Sequence, residues 1–456
     1  MNPGLLSLEA QRYHSRSFGG KELHVNLQSG HSLVRSTLIV SYMLVTYSPP
    51  SAFADPSSSR ALELLASFTE EPTVQYESAF RYSDKSRIVG LDIHAVGMEN
   101  TTARYSGQEG AWREVNNILR IKTADGFEGV SGVDTYYQGP HSDEHLKELQ
   151  SAAAELVAAR SVDPVEIRSH LIMARPDLSD TVRASIDIAL WDLAARKINR
   201  PLYELLGTKR DSIEVYASLP FYETLPEYVE AVQEYAELGF TMFKYHVWGQ
   251  IELDLALVVL TQQTFRDTPF LFMIDLENVY EIDDAFRLGK QMDEGQFTLL
   301  EGPVDDALLA QYAELRSNLG IQVIPAGYTY YSAEYMSRAI GFGAWDAGRF
   351  DATVVGGISP ALELLRITNE AGLPVEIQSW GHSLAQAANL HLMLANERTP
   401  YFEAPMPKNA FEFGMKNGVL LDKGKIIAPD GPGLGIKVDW ESLAAADFYA
   451  SVRLEF

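Results

Sequence analysis

Seven polar residues recur along the second half of this chain at the spacing of one strand–helix unit. They are Lys244, Asp275, Glu301, Tyr328, Asp351, His382 and Glu403, at intervals of 31, 26, 27, 23, 31 and 21 residues. Each stands at or just past the end of a short apolar run. In a (β/α)8 barrel, catalytic groups come from the C-terminal ends of several strands, so they return in sequence once per unit. Asp275 and Glu301 follow FLFMI and FTLL on consecutive units. Facing carboxylates repel, and a divalent cation removes that penalty. Either residue alone reads more simply as a helix cap; the pair reads as metal ligands. Asp351 and His382 are also consecutive. A carboxylate on one imidazole nitrogen fixes the tautomer and leaves the other for proton transfer. On spacing alone, though, His382 reads slightly better as a surface-loop residue after Trp380-Gly381. Lys244 and His246, two apart in FKYH, share a strand face. They either bring a cation and a group titrating near neutrality into one mouth, or mark a strand end meeting water. Glu403, after Tyr401-Phe402, has the same two readings.

Composition narrows what such a site could serve. The chain has 456 residues, with 37 Lys and Arg against 62 Asp and Glu, for a net charge of −25. That balance argues against a nucleic-acid partner, which needs a basic footprint, and against an anionic membrane surface. An anionic substrate would need a local cation to overcome the general field. There is no cysteine, which removes disulfides, thiolate zinc sites and Cys nucleophiles. Carboxylates, His and hydroxyls remain as metal ligands, a set that suits hard ions such as Mg2+.

The elements that must position these residues fall into segments. Residues 1–86 read as an extension. Within it, TLIVSYMLV (Thr37–Val45) follows Arg35 and precedes an A-x-A pattern ending at Ala54, so the segment near 35–54 is signal-like. The run is too short to span a bilayer. A cytoplasmic location is the expectation, with export the alternative. Residues 87–211 read as an α+β capping domain. Ile88–Val96 alternates like a strand, and Ala124-Asp125-Gly126 joins two further strands as a hairpin. His141–Ala159 and Asp180–Lys197 have helical periodicity. Asp187 and Asp192 lie within the second helix and need partners if buried. Gly97–Gly110 and Asp134–Pro140 read as loops. Residues 212–403 alternate eight short strands with helices, which implies a parallel sheet closed as a barrel. Residues 404–456, rich in Gly, Pro and Lys, read as a segment returning to the first domain.

A resemblance then gives the ladder names. Arg183-Ala-Ser-Ile-Asp187-Ile-Ala-Leu-Trp191-Asp192-Leu, running on to Pro201-Leu-Tyr-Glu-Leu-Leu-Gly207, resembles the signature helix of the enolase superfamily. The likeness is to its mandelate racemase and muconate-lactonising branch. Asp351-Ala-Thr-Val-Val-Gly-Gly357-Ile-Ser is similar to the family's D-x-x-x-x-G-G segment, and Pro432-Gly-Leu-Gly435 to its closing motif. The likeness covers residue 87 to the C-terminus. It implies an α/β fold, a capping domain over a (β/α)7β barrel, usually in a homo-oligomer. It implies Mg2+ held by three carboxylates, a small-molecule carboxylate substrate, and a base that removes the α-proton. Asp275 matches the first ligand and Glu301 the second. Lys244 matches a lysine near the substrate carboxylate, and His246 stands where a second lysine is often a base. Asp351 and His382 match a His–Asp dyad, and Glu403 an acid that polarises the carboxylate. The implied reaction is dehydration of a sugar acid or similar α-hydroxy acid. A racemase or epimerase is the alternative, weakened because His and Lys differ in basicity by several pH units.

One rung departs from the pattern. Ile324-Pro-Ala-Gly-Tyr328 places Tyr328 where the family has its third carboxylate ligand. A phenol with an ordinary pKa of ~10 is a poor replacement. Three outcomes are open: Glu277 supplies the third carboxylate, Asp275 and Glu301 hold the metal with water, or metal and ordinary turnover are lost and an acid-binding protein remains.

Overall fold

The computed structural model describes residues 59–66, 77–100, 112–134, 142–446 and 448–456. The signal-like segment near 35–54, residues 101–111 of the polar loop and residues 135–141 lie outside these. The first domain is a four-stranded antiparallel sheet with three helices. Its strands are Ile88–Asn100, Trp112–Thr123, Glu128–Asp134 and the C-terminal Phe448–Glu455. The last strand pairs with the first, from Gly90 opposite Glu455 to Gly97 opposite Phe448. Gly126, at φ +85°, makes the turn between Thr123 and Glu128, a backbone conformation that favours glycine. Helices Ser142–Ala158, Pro164–Ala174 and Asp180–Lys197 cover one face of the sheet. Leu91, Ile93, Leu119, Leu149, Leu171 and Ile186 form that core. The N-terminal extension is not wholly outside the fold. Helix Arg60–Leu65 buries Ala61 and Leu65, and the Ala61 amide donates to Asp163 at 3.0 Å.

The second domain carries eight parallel strands in chain order: Ser212–Leu219, Met242–His246, Leu271–Asp275, Phe297–Glu301, Gln322–Ile324, Gly348–Phe350, Val375–Ile377 and Tyr401–Pro405. Seven are followed by helices and the eighth by a 3-10 turn, Lys408–Phe411, which is the (β/α)7β pattern. The eighth strand pairs with the first, Glu403 opposite Tyr216, and so closes the ring. The ladder is interrupted at two seams, and side chains span both. At the first, the Asp346 amide donates to the Val323 carbonyl at 3.0 Å while the Asp346 carboxylate accepts from the Val323 amide at 2.8 Å. At the second, the Ser379 hydroxyl donates to the Glu403 carbonyl at 2.8 Å and accepts from the Glu403 amide at 3.0 Å. The sixth strand stops at Phe350, because the chain turns at Asp351.

Strand periodicity builds the interior in layers. Side chains two apart on a strand share a face. Met242, Met273, Leu299 and Ala347 form a buried apolar layer with Tyr216 and Ile324, against which Tyr401 packs. Two residues further along five of these strands come Lys244, Asp275, Glu301, Arg349 and Glu403. The charged mouth therefore rests on an apolar floor.

Helix Asp180–Lys197 is buried almost all round because it lies between the capping sheet and the barrel. Its two acids acquire partners accordingly. Asp187 accepts from the Ser359 amide at 3.0 Å and the Ser359 hydroxyl at 2.5 Å, capping barrel helix Ile358–Glu370. Trp191 donates to the same hydroxyl at 3.0 Å. Asp192 accepts from the amides of Val130 and Leu434, at 2.8 and 2.6 Å. The glycines of the two motifs exist for these contacts. A Cβ on Gly357, at φ +118°, would lie 2.3 Å from an Asp187 oxygen, and one on Gly433 2.0 Å from an Asp192 oxygen. Removing one partner of a buried hydrogen bond leaves the other unpaired, at about 1–3 kcal/mol. Asp187→Ala is therefore expected to lower unfolding stability by about that amount, and Gly357→Ala to lower it as well. Denaturant titration of both variants against the parent checks this.

Candidate active site

The second barrel strand aims Lys244 and His246 into the mouth, as their shared face requires. Lys244 is 1% exposed. Its Nζ lies 2.5 Å from Glu403, 2.7 Å from Glu301 and 3.8 Å from Asp275. It also sits 5.5 Å from the ring centroid of Tyr216. Burial and the Arg349 charge oppose its ionisation, yet the three carboxylates hold its pKa above the ordinary value. The reciprocal effect falls on Glu403. Burial alone would raise its pKa, but Lys244 and Arg349 hold it at about 2.

Arg349 completes the cluster from the sixth strand. It is fully buried. Its guanidinium lies 2.7 Å from Glu301, 2.9 Å from Glu403 and 3.6 Å from Glu376. The Glu301 contact is an ion pair rather than an aligned hydrogen bond, since Nε finds no acceptor along its N–H direction. Thus one oxygen of Glu301 faces Lys244 and the other faces Arg349. Burial pushes the Glu376 carboxyl up to about 7, and the Tyr216 hydroxyl donates to it at 2.7 Å.

The two histidines are brought into one aromatic cluster. His246 packs edge-on to Trp380 at 5.2 Å, Trp380 to Phe411 at 5.4 Å, and Phe411 to His382 at 5.9 Å between ring centroids. Nδ1 of His246 faces the Leu219 carbonyl at 2.6 Å, so that nitrogen carries the proton. Nε2 then faces Asp275 at 3.4 Å. Burial disfavours the imidazolium, but Asp275 outweighs it and raises the His246 pKa. Asp275 is held below the usual carboxylate range: burial would raise it, and His246 and Lys244 overcome that.

His382 is paired differently from the expected dyad. Its Nδ1 lies 2.5 Å from one oxygen of Asp134, and its backbone amide donates to the other at 2.9 Å. Asp134 ends the last strand of the capping hairpin. The close approach needs Gly381, at φ +142°, where a Cβ would fall 2.4 Å from the Asp134 carboxylate. Asp351 instead organises its own turn. It accepts from the Thr353 amide and hydroxyl at 2.7 and 2.9 Å and from Asn389 at 2.8 Å. Its second oxygen has no hydrogen-bond partner among the described residues. Burial, with a smaller contribution from Asp134, pushes its carboxyl up to about 6. Local geometry decides the exchange. Asp351 is spent on the start of the turn that leads into helix Ile358–Glu370, while Asp134 meets both donors of His382 at once.

The donor set does not fit the implied Mg2+ site. Tyr328 follows Gly327, whose amide, with that of Ala326, is held by Asp306 at 3.0 Å. Burial and then the nearby acids raise the Tyr328 pKa, so the phenol stays neutral and supplies no third charge. Glu277 donates its backbone amide to Asp275 at 2.9 Å, and burial pushes its carboxyl up to about 7. Among the described residues no three Asp, Glu or His side chains converge closely enough to hold a metal ion. Both oxygens of Glu301 already face cations. Asp134, Arg349 and Glu376 escaped the spacing argument. Arg349 carried a readable signal, since it stands two residues before Asp351 in a strand-like run.

Two family models match the chain: the mandelate racemase / muconate lactonizing enzyme N-terminal domain over residues 112–207, and the enolase C-terminal domain-like family over 227–442. A solved Pseudovibrio sp. protein, assigned to the mandelate racemases and muconate lactonizing enzymes, is 31% identical. That alignment covers 82% of this chain and 100% of that one, with a TM-score of 0.77. L-talarate/galactarate dehydratase of Salmonella typhimurium is 28% identical over 63% of this chain and 72% of its own. Its structure with Mg and L-lyxarohydroxamate superposes with a TM-score of 0.72 at 22% identity, covering 82% of this chain and 96% of that one. D-Ala-D/L-Ala epimerase of Cytophaga hutchinsonii is 26% identical over 70% of this chain and 87% of its own. The chain belongs to the enolase superfamily, in its mandelate racemase and muconate-lactonizing branch.

The buried ion cluster makes two linked predictions. Removing one partner of a buried ion pair costs about 3–5 kcal/mol, so Lys244→Met is expected to be destabilised on that scale in denaturant titration. A folded-state pKa held below its ordinary value contributes stability above that ordinary value. The Glu403 contribution should therefore be complete above about pH 4.5 and be lost as pH falls toward about 2. Melting temperature against pH, compared between the parent and Lys244→Met, reads this acid limb.

Proposed function

We propose that this protein transfers a proton at the carbon next to a carboxylate and completes the dehydration of a sugar acid or similar α-hydroxy acid. The observation that carries the reading is His382, fixed by Asp134 through both its ring Nδ1 and its backbone amide. With Nδ1–H committed to Asp134, proton transfer falls to Nε2. The imidazole takes the α-proton and, now charged, returns it to the hydroxyl that leaves from the neighbouring carbon. Water departs, and the enol formed becomes the 2-keto-3-deoxy acid. Asp134 stabilises the imidazolium formed between the two steps. Charge developing on the substrate carboxylate needs a fixed cation in a water-poor site, and we assign this role to Lys244, which matches the family's lysine beside the substrate carboxylate. Membership of a family whose relatives include dehydratases and epimerases supports the reading.

A second reading is favoured by one specific feature. His246 shares the aromatic cluster with His382 and is likewise oriented through Nδ1. Two oriented imidazoles would let one, neutral, remove the α-proton while the other, already protonated, gives its own proton to the opposite face, which is racemisation or epimerisation.

The experiment is incubation with a panel of acid sugars in D2O, followed by NMR. Dehydration yields a 2-keto-3-deoxy acid, whereas epimerisation yields deuterium at an inverted α-carbon. Neither product and no exchange across the panel would sink both readings. His382→Asn and Asp134→Ala are each expected to slow exchange by about 10²–10⁴-fold. Exchange unchanged in His382→Asn but lost in His246→Asn would move the base to His246.

A further inference from the structure

We propose that Lys244 and Arg349 together take the place that a divalent cation holds in the Mg-liganded relatives, so that the carboxylates of this barrel mouth are neutralised by the chain itself. Lys244 Nζ lies within 3.8 Å of Asp275 and Glu301, which match the first two metal ligands, and of Glu403. Arg349 closes the other side on Glu301 and Glu403. The ammonium is further held over the ring of Tyr216. Both cations are buried, at 1% exposed. A metal entering here would have to displace one of them and leave it buried without a partner, a costly exchange.

Tyr328 fits the same arrangement. With two cations already present, a third carboxylate would add a charge to be balanced, and a neutral phenol adds none. The arginine two residues before Asp351 and the tyrosine at the third-ligand position therefore belong to one electrostatic arrangement. Gly327 joins them physically: a Cβ there would lie 2.6 Å from the Arg349 carbonyl oxygen.

The test reads metal directly and does not depend on turnover, so α-proton exchange can fail while this inference stands. Full-length protein, purified without chelator and dialysed against Mg2+, is analysed for bound metal and melted with and without about 10 mM Mg2+ or Mn2+. A site of about 1 mM dissociation constant would raise the folding equilibrium about elevenfold at that concentration. The expected result is less than about a tenth of an equivalent of metal and no shift in melting temperature. Stoichiometric metal, or a saturable rise in melting temperature, would overturn the inference. The double variant Arg349→Met/Tyr328→Glu frees Glu301 and supplies the missing acid. It is expected to melt lower than the parent without metal and to gain both bound metal and a metal-dependent rise. If that variant folds and still takes up no metal, these two residues are not what excludes it. If it does not fold, the measurements on the parent decide the question alone.

Discussion

A carboxylate taken out of water costs several kcal/mol unless a counter-charge goes with it. This barrel buries Asp275, Glu301, Glu376 and Glu403 in one layer, with Lys244 and Arg349 as counter-charges. Most of the architecture around the mouth follows from that constraint. The apolar layer one residue pair below keeps water from rising between the strands. The Ser379 and Asp346 bridges span the points where the ladder is interrupted, so that Arg349, on the first of the two strands between the seams, is held against Glu301 and Glu403 on other strands. Because Glu301 and Glu403 each face both cations, and each cation faces three acids, the cluster behaves as a unit rather than as separable pairs.

The capping domain is tied to the barrel by the same logic of partnered buried acids. Asp187 and Asp192 lie on one helix and reach barrel and C-terminal backbone, respectively. Asp134 does likewise for His382. In each case a glycine on the opposite element, Gly357, Gly433 or Gly381, clears the space that the carboxylate occupies. These contacts specify how the two domains dock, since a small shift would leave each acid buried and unpaired.

Much of this was readable from residue order, and the parts that were not share a physical cause. Strand periodicity and strand-end acids pointed to a barrel, and the buried helix acids announced that they needed partners. The helix Asp180–Lys197 was found with its bounds intact because its cap and periodicity are local. The partner of His382 was not legible. Asp351 was chosen by adjacency along the chain, whereas the bond is made by a residue 248 positions away, and nothing in local sequence encodes which hairpin end will overhang a barrel. Arg349 was passed over for a different reason. A buried arginine declares its role only when its acidic neighbours are known.

The pairing of Asp134 with Asn116 across the capping hairpin has a consequence for the chemistry below it. Successive strand residues point to opposite faces, so a slip of one residue in that ladder would turn the Asp134 carboxylate away from the barrel. The tautomer of an imidazole on the seventh barrel unit is thus set by the register of a small antiparallel sheet in another domain. Sequence drift in that hairpin is constrained by parity: a one-residue slip between Asn116 and Asp134 would take the carboxylate from His382 while leaving the barrel itself untouched.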